Sequence, residues 1–223
     1  MKRRSIYVFV SATLAMIVPP PGRLVYGIVL ILLLNLLMFA GNIINTIIKN
    51  FELKELQSSV ILAFIICTTI LYRQLLVFLN PEIVMTLGFV FYLIPVSFFV
   101  IGYLFNDEDK PFKERIKFSL KHSLTFSIYA LFIFLFRDIF GYGTITYFNS
   151  DFQIVEKIIL PEDSTGILSV FASIPGVLIL SSVVLFFHVI SRNKLNIIKN
   201  ADSITEEKKE KKEEKGKKGE DNK

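Results

Sequence analysis

The sequence predicts an all-α integral membrane protein with six transmembrane helices, and three observations carry that prediction. Hydrophobic side chains make up 52% of the 223 residues and 22 of them are phenylalanine, which is not the composition of a soluble domain. The apolar residues lie in blocks of about 20, the length an α-helix needs to cross a hydrocarbon core of about 30 Å. Lysine and arginine concentrate in alternate connections between the blocks, the pattern that sets orientation in a bilayer.

Residues 1–18 open with Lys2, Arg3 and Arg4 and then turn mostly apolar. Two readings fit: a secretory signal peptide with Thr13 and Ala15 at its cleavage site, or a short first helix stopped by Pro19, Pro20 and Pro21, which cannot continue one. The helix is preferred. Residues 24–48 form the second span, interrupted by Asn35, Gly41, Asn42 and Asn45. Amides facing lipid are costly, so these are expected to face other helices or a wet cavity. Asn35 and Asn42 share a face, and they read either as interhelical packing or as the polar lining of an ion path.

After a charged loop at 49–57, a third span covers 58–79 and contains Arg73 about a turn and a half from its end. An ionisable residue inside a span is a functional candidate by default, while a long arginine near a helix end also has the option of reaching to the interface. Cys67 reads as a small buried apolar side chain. The fourth span, 82–105, carries Pro95 near its middle, where it frees a backbone carbonyl and kinks or breaks the helix. Residues 106–121 form the most basic short loop, with Lys110, Lys113, Arg115, Lys117 and Lys121.

The fifth span, 118–136, ends on Phe136-Arg137-Asp138-Ile139-Phe140-Gly141-Tyr142-Gly143-Thr144. Adjacent helical residues point about 100° apart, so Arg137 and Asp138 do not face each other and each requires its own partner. Thr144 is expected to cap the turn after Gly143. In residues 144–166, Phe148, Phe152, Val155 and Ile159 recur at helical spacing and predict a short amphipathic helix on the outer membrane surface or capping the bundle. The sixth span, 167–190, is stopped by Arg192 and Lys194. Residues 201–223 hold eight lysines against eight acids with almost nothing apolar, and form a disordered, solvated tail on the 1–200 transmembrane domain.

Six spans place both termini, the 49–57 loop and the 106–117 loop on one side, together with nearly all the basic residues, so both ends are expected in the cytoplasm. The net charge of +5 sits on these membrane flanks; no basic patch interleaved with aromatics in a soluble region points to nucleic acid. A single cysteine excludes an internal disulfide and an all-cysteine metal or cluster site built from this chain alone. His122 and His188 lack metal-ligand spacing. No activated nucleophile, phosphate loop or paired intramembrane carboxylates are present, so no catalytic residue, metal or cofactor is assigned to the chain.

The FRDIFGYGT stretch resembles the arginine-acid-x-x-Gly-x-Gly-Thr end of the fifth helix in the Rnf/Nqr membrane-subunit family, the RnfE/NqrD type in particular. Leu93-Ile94-Pro95-Val96-Ser97-Phe98-Phe99-Val100-Ile101-Gly102 is similar to its fourth helix, Ile174-Pro175-Gly176 to the Pro-Gly step of its last helix, and Asn35 falls in order in the second. The resemblance implies a 3+3 inverted repeat with broken first and fourth helices, in the bacterial inner membrane. It implies a subunit of an ion-translocating electron transport complex, paired with a paralogous six-helix subunit of opposite orientation and with other redox subunits that carry flavins. Family members hold a two-iron, two-sulfur cluster with one cysteine from each broken helix. Here the fourth-helix cysteine position falls on Phe98, its neighbouring asparagine position on Ser97, and no cysteine stands near Ala15 and Met16. Thiolates are the usual ligands of such a cluster and neutral side chains do not replace them. Candidate ion-path or packing positions are therefore Asn35, Arg73, Pro95, Ser97, Phe98, Arg137, Asp138, Gly141 and Gly143. Spans with polar amides also fit an alternative, the membrane component of a vitamin-type small-solute transporter.

Overall fold

Pro19, Pro20 and Pro21 end the first helix, and the chain re-enters a helix only after Gly22. In the computed structural model, which describes residues 10–51, 56–105, 112–160, 168–186 and 190 apart from the side chains of Phe98, Phe99, Tyr103 and Phe105, residues 10–16 form helix α1. Arg23 is extended (φ −93°, ψ 140°) and leads into α2, Leu24–Asn50. Lys49 in the last turn of α2 complements the negative end of the helix dipole. Helix α3, Gln57–Leu79, follows, and Asn80 turns the chain: its side-chain oxygen accepts from the Ile83 amide at 3.3 Å, with Pro81 at the first helical position.

The fourth apolar stretch is broken after Pro95, as expected, and also at Gly88, where no break was expected, into α4 (Pro81–Leu87), α5 (Val90–Val96) and α6 (Phe98–Phe105). Gly88 adopts φ 46°, in the left-handed region that favours glycine, and the axis bends by 65° there. Pro95 has no N–H to continue the helix, and α5 stops at extended Ser97. The Ser97 hydroxyl donates to the Ile94 carbonyl at 2.6 Å and accepts from the Val100 amide at 3.5 Å, so it closes one helix and caps the next.

Helix α7, Phe112–Phe136, is longer than expected: it begins inside the stretch read as a basic loop, and Arg115 is buried within the protein instead of flanking it. It widens into a π-helical turn, Arg137–Gly141. The amphipathic helix expected in 144–166 is replaced over 144–158 by a hairpin of β1 (Thr144–Phe148) and β2 (Ile154–Ile158), antiparallel with Tyr147 opposite Val155. Thr144-Ile145-Thr146-Tyr147-Phe148 is β-branched and aromatic, and Asn149-Ser150-Asp151 is turn chemistry. The apparent helical spacing of Phe148, Phe152 and Val155 arises because that count runs across the turn.

The sixth span is not one continuous helix. A 3₁₀ turn, Leu168–Ala172, precedes α8, Ile174–Phe186, and the Ser173 hydroxyl accepts from the Gly176 amide at 3.4 Å. Ser-Ile-Pro-Gly is thus a helix start, with serine as cap and proline in the first turn, and not a step within a helix. Cys67 is also corrected: it is exposed on α3 and not buried.

The chain is mostly helical, with one two-stranded sheet among the described residues. Among the described residues three helices are long and apolar enough to cross a membrane, Leu24–Asn50, Gln57–Leu79 and Phe112–Gly141, and the bent α4–α5 pair counts as a fourth if it is one span. The chain divides into two units, residues 1–179 and 180–223. The charged tail lies outside the described residues. Within the first unit α2 is central, packed on α7 and α3. Glycine permits its approach: a Cβ on Gly27 would lie 2.5 Å from the Phe134 ring, and one on Gly41 2.5 Å from Leu104.

Candidate functional site: a buried arginine and aspartate on a π-helical turn

The turn that ends α7 carries both charges of the Arg137-Asp138 pair inward, with 1% and 0% of their surface exposed. A π-helical turn inserts a residue's worth of rotation, and such turns are common where side chains must be re-aimed. As their adjacency requires, the two side chains diverge.

Arg137 spreads its guanidinium over four backbone carbonyls. Nη1 donates to Ile17 at 2.9 Å and Pro20 at 3.3 Å, Nε to Phe171 at 3.3 Å, and Nη2 to Ala172 at 3.1 Å. The first two belong to the proline turn after α1 and the last two to the 3₁₀ turn before α8, so one side chain holds together segments about 150 residues apart in sequence. Only a planar group with several fixed N–H donors reaches both sides at once. Gly22 leaves the space for it, since a Cβ there would lie 2.5 Å from Arg137 Nε.

Asp138 faces the other way. Its Oδ2 accepts from the Leu24 amide at 3.1 Å, the Thr146 amide at 2.7 Å and the Thr146 hydroxyl at 2.7 Å, while Oδ1 accepts from the Thr144 hydroxyl at 3.2 Å. Leu24 is the first residue of α2, so a carboxylate from a distant part of the chain caps that helix where its dipole is positive. The Thr146 hydroxyl also accepts from the Val25 amide at 3.3 Å. Thr144 thus bonds the carboxylate in addition to following the Gly143 turn.

Gly141 and Gly143 shape the same node. A Cβ on Gly141 would lie 2.8 Å from the Ala172 amide nitrogen, and Gly143 adopts φ 70°. The Gly143 carbonyl accepts from the Ile159 and Leu160 amides at 2.8 and 3.0 Å, fastening the far end of the hairpin. At the rim, Arg23 pairs with Glu156 and lies over the Tyr142 ring, 5.1 Å from its centroid. With both carboxylate oxygens occupied and four guanidinium hydrogen bonds made, both charges are committed to partners within the chain.

The other predicted positions lie apart from it. Asn35 is half-buried between α2 and α7: its amide donates to Ser127 Oγ at 2.9 Å and to the Ile31 carbonyl at 2.8 Å, and its oxygen accepts from Ser123 Oγ at 2.8 Å. These bonds join α2 to α7. Asn35→Leu is expected to cost about 1 kcal/mol, read as a small fall in thermal midpoint in detergent; unchanged stability with altered transport would assign it to an ion path instead. Arg73 is half-buried on α3, and its Nε meets no acceptor among the described residues. Pro95 and Ser97 form the break between α5 and α6. The side chain of Phe98 lies outside the described residues.

Sequence reasoning missed Thr146, whose role depends on the hairpin, and the α7 side of a polar seam between α2 and α7. On α7 this seam is Arg115, Ser119, Ser123 and Ser127; on α2 it is Asn35, Asn42 and Thr46. The four-residue spacing from 115 to 127 was a legible signal, because it sets all four on one helical face. Farther along, Gln57 Nε2 donates to Asn45 Oδ1 at 2.8 Å and Asn45 Nδ2 to the Leu104 carbonyl at 3.0 Å, tying α2, α3 and α6 together.

The one thiol of the chain, Cys67, is exposed on α3, and among the described residues no group of three or more His, Cys, Asp and Glu side chains is placed to hold a metal. No family model matches the sequence, and no curated protein matches it.

Proposed function

We propose that this chain is a membrane subunit of an Rnf/Nqr-like ion-translocating electron transport complex that contributes scaffold and no iron–sulfur ligands. In this reading six transmembrane helices form a 3+3 inverted repeat in a bacterial inner membrane, with both termini cytoplasmic. A paralogous six-helix subunit of opposite orientation is the partner, and flavins and iron–sulfur clusters reside on other subunits.

The observation that carries the reading is the ordered run of motifs from Asn35 to Ser191, which includes FRDIFGYGT. Two features of the fold support it. The fourth apolar stretch is interrupted at Gly88 and again at Ser97, and breaks of this kind mark the functional midplane of inverted-repeat proteins. The packing of α2 on α7 brings together the second helices of the two proposed halves, an arrangement compatible with an internal two-fold. Phe98 at the cysteine position removes cluster ligation from the role.

Purification of the full-length chain from its native membrane in mild detergent tests this. Homologous membrane subunits and a partner bearing flavin or iron–sulfur cluster are expected to co-purify; recovery as a lone monomer overturns the proposal.

A further inference from the structure

We propose that Asn42 and Ser119 hold a buried water molecule between α2 and α7. The two helices run antiparallel, as their contacts show: Asn35 bonds Ser123 and Ser127, and Thr46 accepts from Arg115. One turn back from Thr46 along α2 is Asn42, and one turn on from Arg115 along α7 is Ser119. Because the helices are antiparallel, both steps go the same way, which sets Asn42 opposite Ser119.

Both side chains are buried, at 1% and 0% exposure. The Asn42 amide nitrogen donates to the Met38 carbonyl at 2.6 Å, but its oxygen Oδ1 meets no donor, and the Ser119 hydroxyl meets no partner, among the described residues. An acceptor and a hydroxyl stranded at one level of a closely packed seam are the pattern that internal waters resolve. A water donates to Asn42 Oδ1 and either accepts from or donates to the Ser119 hydroxyl. It completes a hydrogen-bonded seam from Arg115 and Thr46 to Asn35, Ser123 and Ser127.

The occupant is neutral: the acceptor oxygen of Asn42 repels an anion, and two further features exclude a cation. The site offers neutral oxygens and, among the described residues of the seam, no carboxylate. The charged side chain one turn away is Arg115, which repels a cation. The inference is independent of the proposed electron-transport role, and it bounds that role: an ion carried by the assembly is not held at this seam.

The test is thermal unfolding of the full-length protein in detergent. Ser119→Ala and Asn42→Leu each remove one of the water's partners and leave the other unpaired, so each is expected to lower the midpoint by about 3–6 °C. The double variant replaces both polar groups by apolar ones and is expected to fall no further than the worse single. Additive losses overturn the proposal. The unsubstituted protein supplies an arm that needs no variant: exchanging sodium or potassium chloride for choline chloride at constant ionic strength is expected to leave the midpoint unchanged. A rise specific to sodium or potassium that disappears in Ser119→Ala replaces the water with a cation site and overturns the inference.

Discussion

Replacing Asp138 with alanine is expected to destabilise the chain by about 4 kcal/mol, because it strands buried donors that have no second acceptor. The Leu24 and Thr146 amides both point at Oδ2 from 3.1 and 2.7 Å, and neither can turn away as a hydroxyl can. Alanine leaves two backbone N–H groups unpaired at about 1–3 kcal/mol each, and α2 loses the anion that caps its first turn. Asparagine separates hydrogen bonding from charge. With its oxygen in the place of Oδ2 it accepts the same two amides, and its nitrogen donates to the Thr144 hydroxyl. Asp138→Asn is therefore expected to retain more than half of the lost stability. Thermal unfolding in detergent reads both variants. Equal losses for alanine and asparagine would show that the negative charge matters and the hydrogen-bond geometry does not.

The need for this node was legible in the sequence, while its partners were not. Arg137 and Asp138 are adjacent on a helix, so geometry alone requires them to diverge and find separate partners. Those of Arg137 are backbone carbonyls at Ile17, Pro20, Phe171 and Ala172. Carbonyls are common to every residue, so no side-chain pattern announces them. Helix breaks were the most readable features, because proline, glycine and serine act on their own backbone: the stops at Pro19 and Ser97 follow from the residues themselves. The hairpin was misread because a period was counted through turn residues. Cys67 was misread because a uniformly apolar helix gives its faces no distinguishing sign, and α3 leaves Leu71, Leu75 and Phe78 exposed beside it. Arg115 shows the limit of charge counting, since a basic residue near a helix start proved to be the buried end of a polar seam.

Arg137→Ala is expected to separate the two connections that the guanidinium joins. It removes four hydrogen bonds and a large buried side chain, against which stands the relief of desolvating a charge, leaving a net loss of about 3 kcal/mol. Assembly and any coupled transport are expected to fall more than expression does. Arg137→Lys keeps the charge but presents it as a point, so it can serve either the Ile17 and Pro20 carbonyls or those of Phe171 and Ala172, and recovers only part of the loss. Hydrogen exchange followed by peptide mapping distinguishes this from general unfolding. In Arg137→Ala the amides of residues 16–23 and 168–177 are expected to lose protection together while residues 144–158 keep theirs. Asp138→Ala is expected to do the reverse, exposing the start of α2 and the hairpin. If both variants deprotect all of these segments alike, the two side chains act as one unit and the assignment of separate partners to each has no functional meaning. If the patterns differ as stated, the π-helical turn is the joint at which one helix end controls two independent attachments.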